Sequence, residues 1–346
     1  MIQQQKSPKH WLITGGCGFI GTSLIYHLKQ QTDCSIRVVD NLSAGTREDL
    51  ARVCDFTETD KPHPDSDSVE LWVGDIRDAE FMLRAAQDRD CIVHLAANTG
   101  VIPSIKHPRD DCETNVLGTL NVLEAARMHK VRSFIFASSG APLGEQKPPI
   151  HEEKVPRPLS PYGASKLSGE GYCSAYHGSF GLNTIALRFG NVYGPRSGHK
   201  NSVVAKFIRQ AFRGETLTVY GDGTQTRDFI YIDDLVDAIL KASLVQAGGE
   251  IIQIATNREH TVNEILEYVK VIFQEDYNIN VQSTHAPPRK GEVMRNYSDI
   301  SKARKLLDWE PSSDIQDNLR KTVEWFWDIS YKEKGKSKKL QGKRKR

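Results

Sequence analysis

The run Thr14–Gly21, TGGCGFIG, constrains the fold of this chain more than any other segment. Gly15, Gly18 and Gly21 are spaced G-x-x-G-x-x-G. They follow the short apolar stretch Trp11–Thr14 and precede Phe19–Leu28, whose apolar residues recur at helical spacing. Glycine spacing alone is a weak signal, and the strand before and helix after give it meaning. Such a turn lets the backbone approach a pyrophosphate, and the helix start offers free N–H groups and a positive dipole end. Gly15, Gly18, Phe19, Ile20 and Gly21 are therefore the expected phosphate cradle. A second strand, Ile36–Asp40, follows, and this order opens a doubly wound parallel α/β sheet. Asp40 lies nineteen residues past the last glycine. A carboxylate there accepts hydrogen bonds from ribose hydroxyls and repels a 2′-phosphate, which favours NAD. Arg47 is near enough in sequence to keep NADP open, and a tight turn with no ligand is the plainer alternative.

Further buried strands are expected at Glu70–Val73, Cys91–Leu95 and Ser133–Ala137, with helices at Ala79–Ala86 and Val116–Met128. Pro62 and Pro64 mark a surface insertion. After Ala186 the pattern changes. Asn191–Lys200 reads as loop, Val203–Arg213 as helix and Leu217–Tyr220 as a short strand before the turn GDGT. Asp233–Ala242 and Val262–Phe273 read as amphipathic helices. The expected organisation is a Rossmann-type cofactor domain over residues 1–187, its sheet completed by about 228–254. A smaller α/β substrate domain is expected mainly from 188–330.

Tyr162 and Lys166, in SPYGASK, are four residues apart and share one face of a helix. A nearby ammonium and a positive nicotinamide ring both favour phenolate, so a lowered phenol pKa is expected. Tyr162 can then take a proton from a hydroxyl as hydride leaves the same carbon. Ser138 and Ser139 end the stretch FIFASS and can hydrogen-bond that hydroxyl. Tyr-x-x-x-Lys alone is common on solvated helices. Together with the glycine loop and the serines it points to redox chemistry at an alcohol or sugar carbon.

Charge narrows the partners. The net charge is +2, yet Lys332–Arg346 carries nine basic residues and one acidic one. The remainder holds 37 basic against 43 acidic residues, so the body is not a nucleic-acid binder by charge. The tail 331–346 reads as disordered and solubilising, with weak contact to RNA or anionic lipid as the alternative. None of the six cysteines forms a C-x-x-C pair, which argues against a metal site and for a reduced compartment. No run is apolar enough to span a membrane, and the start lacks the apolar stretch of a signal peptide. Cytoplasmic residence is expected.

With these residues in view, the chain resembles the extended short-chain dehydrogenase/reductase family, in its NAD-dependent nucleotide-sugar epimerase/dehydratase branch. The resemblance runs from about Trp11 to Trp325. It covers GGCGFIG, VVDNLSAG, GDIRD, HLAA, NVLGTLNVLEAA, SPYGASK, LRFGNVYGP and GDGTQTRDFIYIDD. It implies that Asn41 joins Asp40 in holding the cofactor, and that Asp75 and Ile76 flank the adenine. Leu95, Ala96 and Ala97 line the cleft, Asn115 lies beneath it, and Phe189 borders the nicotinamide. Lys166 also holds the nicotinamide ribose. Asn191, Arg227 and Arg289 are implied ligands of the substrate phosphates, because a guanidinium matches phosphate oxygens with a fixed fork of donors. Glu292 is implied on the substrate ribose, and a homodimer is implied through helices near Thr114–Met128 and Ser160–His177.

The resemblance implies reversible oxidation of a nucleoside diphosphate sugar, most simply epimerisation at C4 of a UDP-hexose or UDP-N-acetylhexosamine through a 4-keto sugar. Departures bear on the subclass. Dehydratases of the family carry an Asp-Glu pair where this chain has Gly140 and Ala141. Epimerases commonly read Val-Tyr-Gly where this chain has Pro142-Leu143-Gly144. An unusual UDP-sugar dehydratase (4,6 or 5,6 elimination), with acid and base drawn from elsewhere, stays open, and so does a non-enzymatic NAD- or nucleotide-sugar-binding protein. Glu145 and Glu152 are near in sequence, without anything that places them in the site. Asn296 replaces a bulky residue of the family and leaves room for a 2-acetamido group.

Overall fold

The computed structural model describes residues 5–31, 33–61, 68–288, 293–312 and 314–333. The expected insertion at Pro62 and Pro64 lies outside them. The first half alternates strand and helix: β1 (His10–Thr14), α1 (Phe19–Gln31), β2 (Ser35–Asp40), α2 (Arg47–Ala51), β3 (Thr57–Glu58), β4 (Val69–Val73), α3 (Ala79–Ala85) and β5 (Cys91–His94). Next come α4 (Val101–Lys106), α5 (Pro108–Cys112), a π-helical stretch (Glu113–Gly118), α6 (Thr119–Met128), β6 (Ser133–Ser139), α7 (Pro161–Phe180) and β7 (Thr184–Phe189). The second half gives β8 (Asn191–Tyr193), α8 (Val203–Phe212), β9 (Leu217–Tyr220), β10 (Thr226–Arg227), β11 (Phe229–Tyr231), α9 (Ile232–Ser243) and β12 (Glu250–Ile254). It ends with β13 (His260–Thr261), α10 (Val262–Tyr277), β14 (Ser283–Ala286), α11 (Ser301–Leu307) and α12 (Ile315–Glu333).

Eight strands form one sheet in the order β12-β7-β6-β5-β1-β2-β4-β3, every pair parallel. Both faces are covered, so the strands read as continuous apolar runs. Alternate residues divide between the faces. Ile13, Val38, Val93, Ile135 and Leu187 join a core with α1, α9 and the second-half helices. Leu12, Val39, Ile92, Phe134 and Ala186 join a separate core under α3, α6 and α7. The second half therefore shares the core on one face of the sheet. It adds short pairs, β11 with β8, β14 with β9 and β10 with β13.

Three expectations need correction. Asn191–Tyr193 is a strand, because β11 supplies a parallel ladder that the Gly- and Pro-rich sequence around it hides. The helix expected from Val116 is α-helical only from Thr119. The preceding turn widens to π-helix, a feature of functional sites, and Asn115 sits inside it. At the other end, α12 carries the chain to Glu333, past the expected start of the tail. Residues 334–346 lie outside the described part.

Candidate active site

β1 and β5 are neighbours, yet the chain leaves them in opposite directions. The loops beyond their C-terminal ends part and open a crevice. One wall is the glycine turn. Gly15 has φ +69°, and a Cβ there would stand 2.7 Å from the Ala96 nitrogen. A Cβ on Gly21 would stand 2.5 Å from the Gly16 Cα, so glycine keeps α1 against the turn. The Gly18 amide closes the turn onto the Gly15 carbonyl at 3.1 Å. The first turn of α1, from Phe19 and Ile20, holds no acidic side chain. Its leading N–H groups have no intrahelical acceptor.

Asp40 accepts from the Cys17 amide at 2.9 Å and the Leu42 amide at 2.8 Å. It ties down the turn while carboxylate lone pairs remain for further donors. Burial pushes its pKa up. On the rim, Asn41 donates to Asp75 at 3.1 Å, and Arg77 holds the Asp75 carboxyl down to about 2. Ile76 is buried beside them. Across the crevice, the Leu95 amide donates to the Thr14 carbonyl at 3.1 Å and the Ala96 amide to its hydroxyl at 3.3 Å, with Ala97 next in line. Asn115 pins this loop by exchanging bonds with the Asn98 backbone at 2.8 and 2.9 Å, and donates also to Asp111 and Ser165. The close-approach glycines, the open helix start and the carboxylate at the end of β2 fit the pyrophosphate and ribose of NAD. Arg47 is spent on Glu58 through bonds of 2.6 and 2.8 Å, which turns the cation that left NADP open toward β3.

Tyr162 and Lys166 stand one turn apart on α7. Ser160 caps that helix by accepting from the Gly163 amide at 3.1 Å, with Pro161 in the first turn. Ser139, at the end of β6, lies near enough to the Tyr162 phenol to lower its pKa and accepts from the Ala141 amide at 3.2 Å. Phe189 lies beside Ser139 in the sheet register. The Lys166 ammonium donates to the Ala137 carbonyl at 2.8 Å and lies 4.8 Å from the Phe136 ring centre. Burial pulls Lys166 down to about 8, against the pull of Asp111, Cys173 and Glu170. The phenol departs from expectation. Burial raises its pKa, Ser139 opposes that, and Asp111 adds to it. Desolvating a phenolate costs more than one hydrogen bond returns. Ser138 also departs, because its hydroxyl is donated to Glu170 at 2.5 Å. Glu170 takes both forks of Arg188 at 2.7 Å. Ser138 thus ties β6 to α7 and β7, leaving Ser139 as the hydroxyl at Tyr162.

A pocket of about 300 Å³ on the second-half side is lined by Asn191, Arg227, Lys200, Lys206, Phe207 and Tyr220 among others. Asn191 donates to the Asp228 carbonyl at 3.3 Å. Arg227 is oriented by bonds of 2.7 Å to the Thr226 and Val293 carbonyls. Asn296 sits close by, its amide 3.4 Å from the Thr226 hydroxyl. Arg289 and Glu292 lie outside the described residues. A more open cavity of about 870 Å³ beyond Tyr220, against Asp222, His285 and Pro288, has none of Ser139, Tyr162 and Lys166 in its lining. Leu143 is fully buried, and a Cβ on Gly140 would meet nothing within 4 Å. Glu152 accepts from the Gln253 amide at 2.7 Å and caps the sheet edge, far in role from an acid or base.

Two residues at the site escaped the sequence reading. Asp111 is 2% exposed and bonded to Asn115, with its second oxygen unpartnered. Burial raises its pKa. It neighbours another acid in PRDDC, so nothing in the sequence separates it from a solvated pair. Lys200 sits in a loop whose composition signals only irregularity.

The sequence profile of the NAD dependent epimerase/dehydratase family matches residues 11–255. A UDP-glucose 4-epimerase of Mycolicibacterium smegmatis is 33% identical over 321 residues, 91% of this chain and 97% of that protein. The solved UDP-glucose 4-epimerase of Thermotoga maritima with UDP-glucose is 35% identical. It superposes with a TM-score of 0.82 over 93% of this chain and 99% of its own. The Thermus thermophilus UDP-glucose 4-epimerase complex with NAD is 34% identical, with a TM-score of 0.79 over 92% and 99%. Matched by that profile over residues 11–255 and similar to these enzymes over nine-tenths of its length, the chain belongs to the NAD-dependent epimerase/dehydratase family.

Proposed function

We propose that this chain is an NAD-dependent UDP-sugar 4-epimerase. The observation that supports the proposal is Ser139 near the Tyr162 phenol, with Lys166 one turn on along α7, next to Gly140 and Ala141, which bear no acid or base. When bound, NAD supplies a means to take a hydride from the sugar carbon and return it. Tyr162 exchanges the proton of the C4 hydroxyl, Ser139 relays it, and Lys166 places a positive charge one helical turn away. The chain's own electrostatics keep the phenol protonated, so the pyridinium charge is what favours phenolate. Asn191, Arg227 and Arg289 are assigned to the diphosphate, Glu292 to the ribose and Asn296 to the sugar, with space for a 2-acetamido group. Residues 1–187, their sheet completed by about 228–254, are assigned to the cofactor, and 188–330 mainly to the nucleotide sugar.

A homodimer is part of this reading, supported by Leu117 and Tyr172, which are exposed on the two expected elements. Cytosolic residence fits six cysteines that are all free. No described helix is long and apolar enough to cross a membrane. The dehydratase reading keeps one support, the Pro142-Leu143 departure. Mass spectrometry and NMR of products from a panel of UDP-sugars decide between them. Epimerisation preserves mass and elimination loses water, while NAD binding with no turnover across the panel favours a binding protein. Turnover of UDP-glucose with none of UDP-N-acetylglucosamine ends the size argument at Asn296.

A further inference from the structure

Residues 194–202 leave β8 and return over the cofactor side before α8 begins. Arg196 lies 4.4 Å from the Tyr26 ring centre on α1, the His199 ring is 3.4 Å from Asp49 on α2, and Lys200 lies 5.3 Å from the ring centre of Phe19, the first residue of α1. Arg209 fixes this strap by donating to the Gly198 and Lys200 carbonyls at 2.8 and 2.5 Å. The same Lys200 lines the pocket of Asn191 and Arg227. Among the described residues its ammonium has a ring beneath it and no hydrogen-bond or ion-pair partner. Burial pulls it down to about 8, with no charged neighbour offsetting that. Lys206 and Arg227, in the same lining, share its sign. Asp49, the acid facing the strap, is engaged by His199, Arg52 and Thr46. Lys200 is half-buried, and an ammonium in a pocket that also holds two other basic side chains is stabilised by an anion.

We propose that Lys200 is a diphosphate ligand at the junction of the cofactor cradle and the substrate pocket. The diphosphate has two candidate sources, the nucleoside diphosphate beside Arg227 or the cofactor pyrophosphate at the start of α1. The inference rests on reading that pocket as a nucleotide-sugar site. The strap explains how one side chain reaches both, since it bridges α1 and the pocket lining.

Isothermal titration of the full chain with UDP and, separately, with NAD tests it, using the unaltered protein, Lys200→Met and Lys200→Arg. The methionine variant is expected to weaken one of the two ligands about ten- to a hundredfold, and arginine to restore most of that. Selective loss of UDP assigns the substrate diphosphate, and selective loss of NAD assigns the cofactor. The affected binding should also lose part of its salt dependence in the methionine variant, which a merely structural role would not produce. Unchanged affinity for both ligands overturns the inference. Failure of UDP to bind the unaltered chain sinks the reading of the pocket instead, a separate result. Circular dichroism confirms folding, and Lys200→Gln replaces the methionine variant should that one not fold.

Discussion

At Lys166 the needs of chemistry and of stability oppose each other. In the proposed mechanism the Lys166 ammonium supports proton transfer at Tyr162, but burial lowers its pKa from an ordinary 10.5 to about 8. Between those values the unfolded chain binds more protons than the folded one, so this residue makes stability rise with pH from about 8 to 10.5. Below 8 the folded protein carries the full cost of the buried charge. Lys166→Met is therefore expected to melt higher than the unaltered protein at pH 7, with the gap closing toward pH 10, while turnover falls. Calorimetry at several pH values checks this, and a lower melting temperature at pH 7 would show that the charge stabilises the fold. Tyr162→Phe removes one oxygen from a residue whose ring stays packed. Turnover is expected to drop about 10²- to 10⁴-fold with NAD binding retained. Near-normal kcat in that variant removes Tyr162 from its role.

Among the elements, α7 carries the most. Its first turns present Tyr162 and Lys166, and one turn on Glu170 anchors it to β6 through Ser138 and to β7 through Arg188. Glu170 and Arg188 are each 1% exposed on their side chains. Leaving one buried charge unpaired costs about 3–5 kcal/mol, whereas replacing both by apolar groups is often near neutral. Glu170→Leu is expected to destabilise by about that amount in urea unfolding, and adding Arg188→Met should recover most of it. Additive losses in the double variant would mean that packing, not the charge pair, sets the cost. The anchor was unreadable in sequence. Glu170 and Arg188 are ordinary polar letters eighteen residues apart, and neither helical nor strand periodicity marks a charge that points inward.

For the whole molecule, exposed apolar side chains gather on mutually packed elements: Ile102 and Ile105 on α4, Leu117 on the π-helical stretch and Tyr172 on α7. Scattered exposed apolar residues are ordinary, but a contiguous set marks an interface. Sedimentation at micromolar concentration is expected to give twice the chain mass of 38.9 kDa, and the pair Ile102→Asp with Leu117→Asp should give a monomer. An unaltered protein that sediments as a monomer assigns the patch to another partner. The sequence pointed to the α6 and α7 regions for this contact. That α4 packs against α7, a long-range event, is what adds Ile102 and Ile105 to the expected contact.

Local chemistry was written in the chain. The glycine turn with its strand and helix, the acid closing β2, and the Tyr-x-x-x-Lys turn each act over a few residues, where spacing alone fixes geometry. They sufficed for the α/β sheet and the cofactor class. Tertiary structure decided the rest: that Ser138 turns to Glu170 while Ser139 stays near Tyr162, that Arg47 goes to Glu58, that Asp111 is withdrawn from water, that Lys200 is brought to the start of α1, and that burial raises the phenol's pKa. Those outcomes depend on which distant groups share a low-dielectric space, and desolvation is set by the packed whole rather than by any neighbour in sequence.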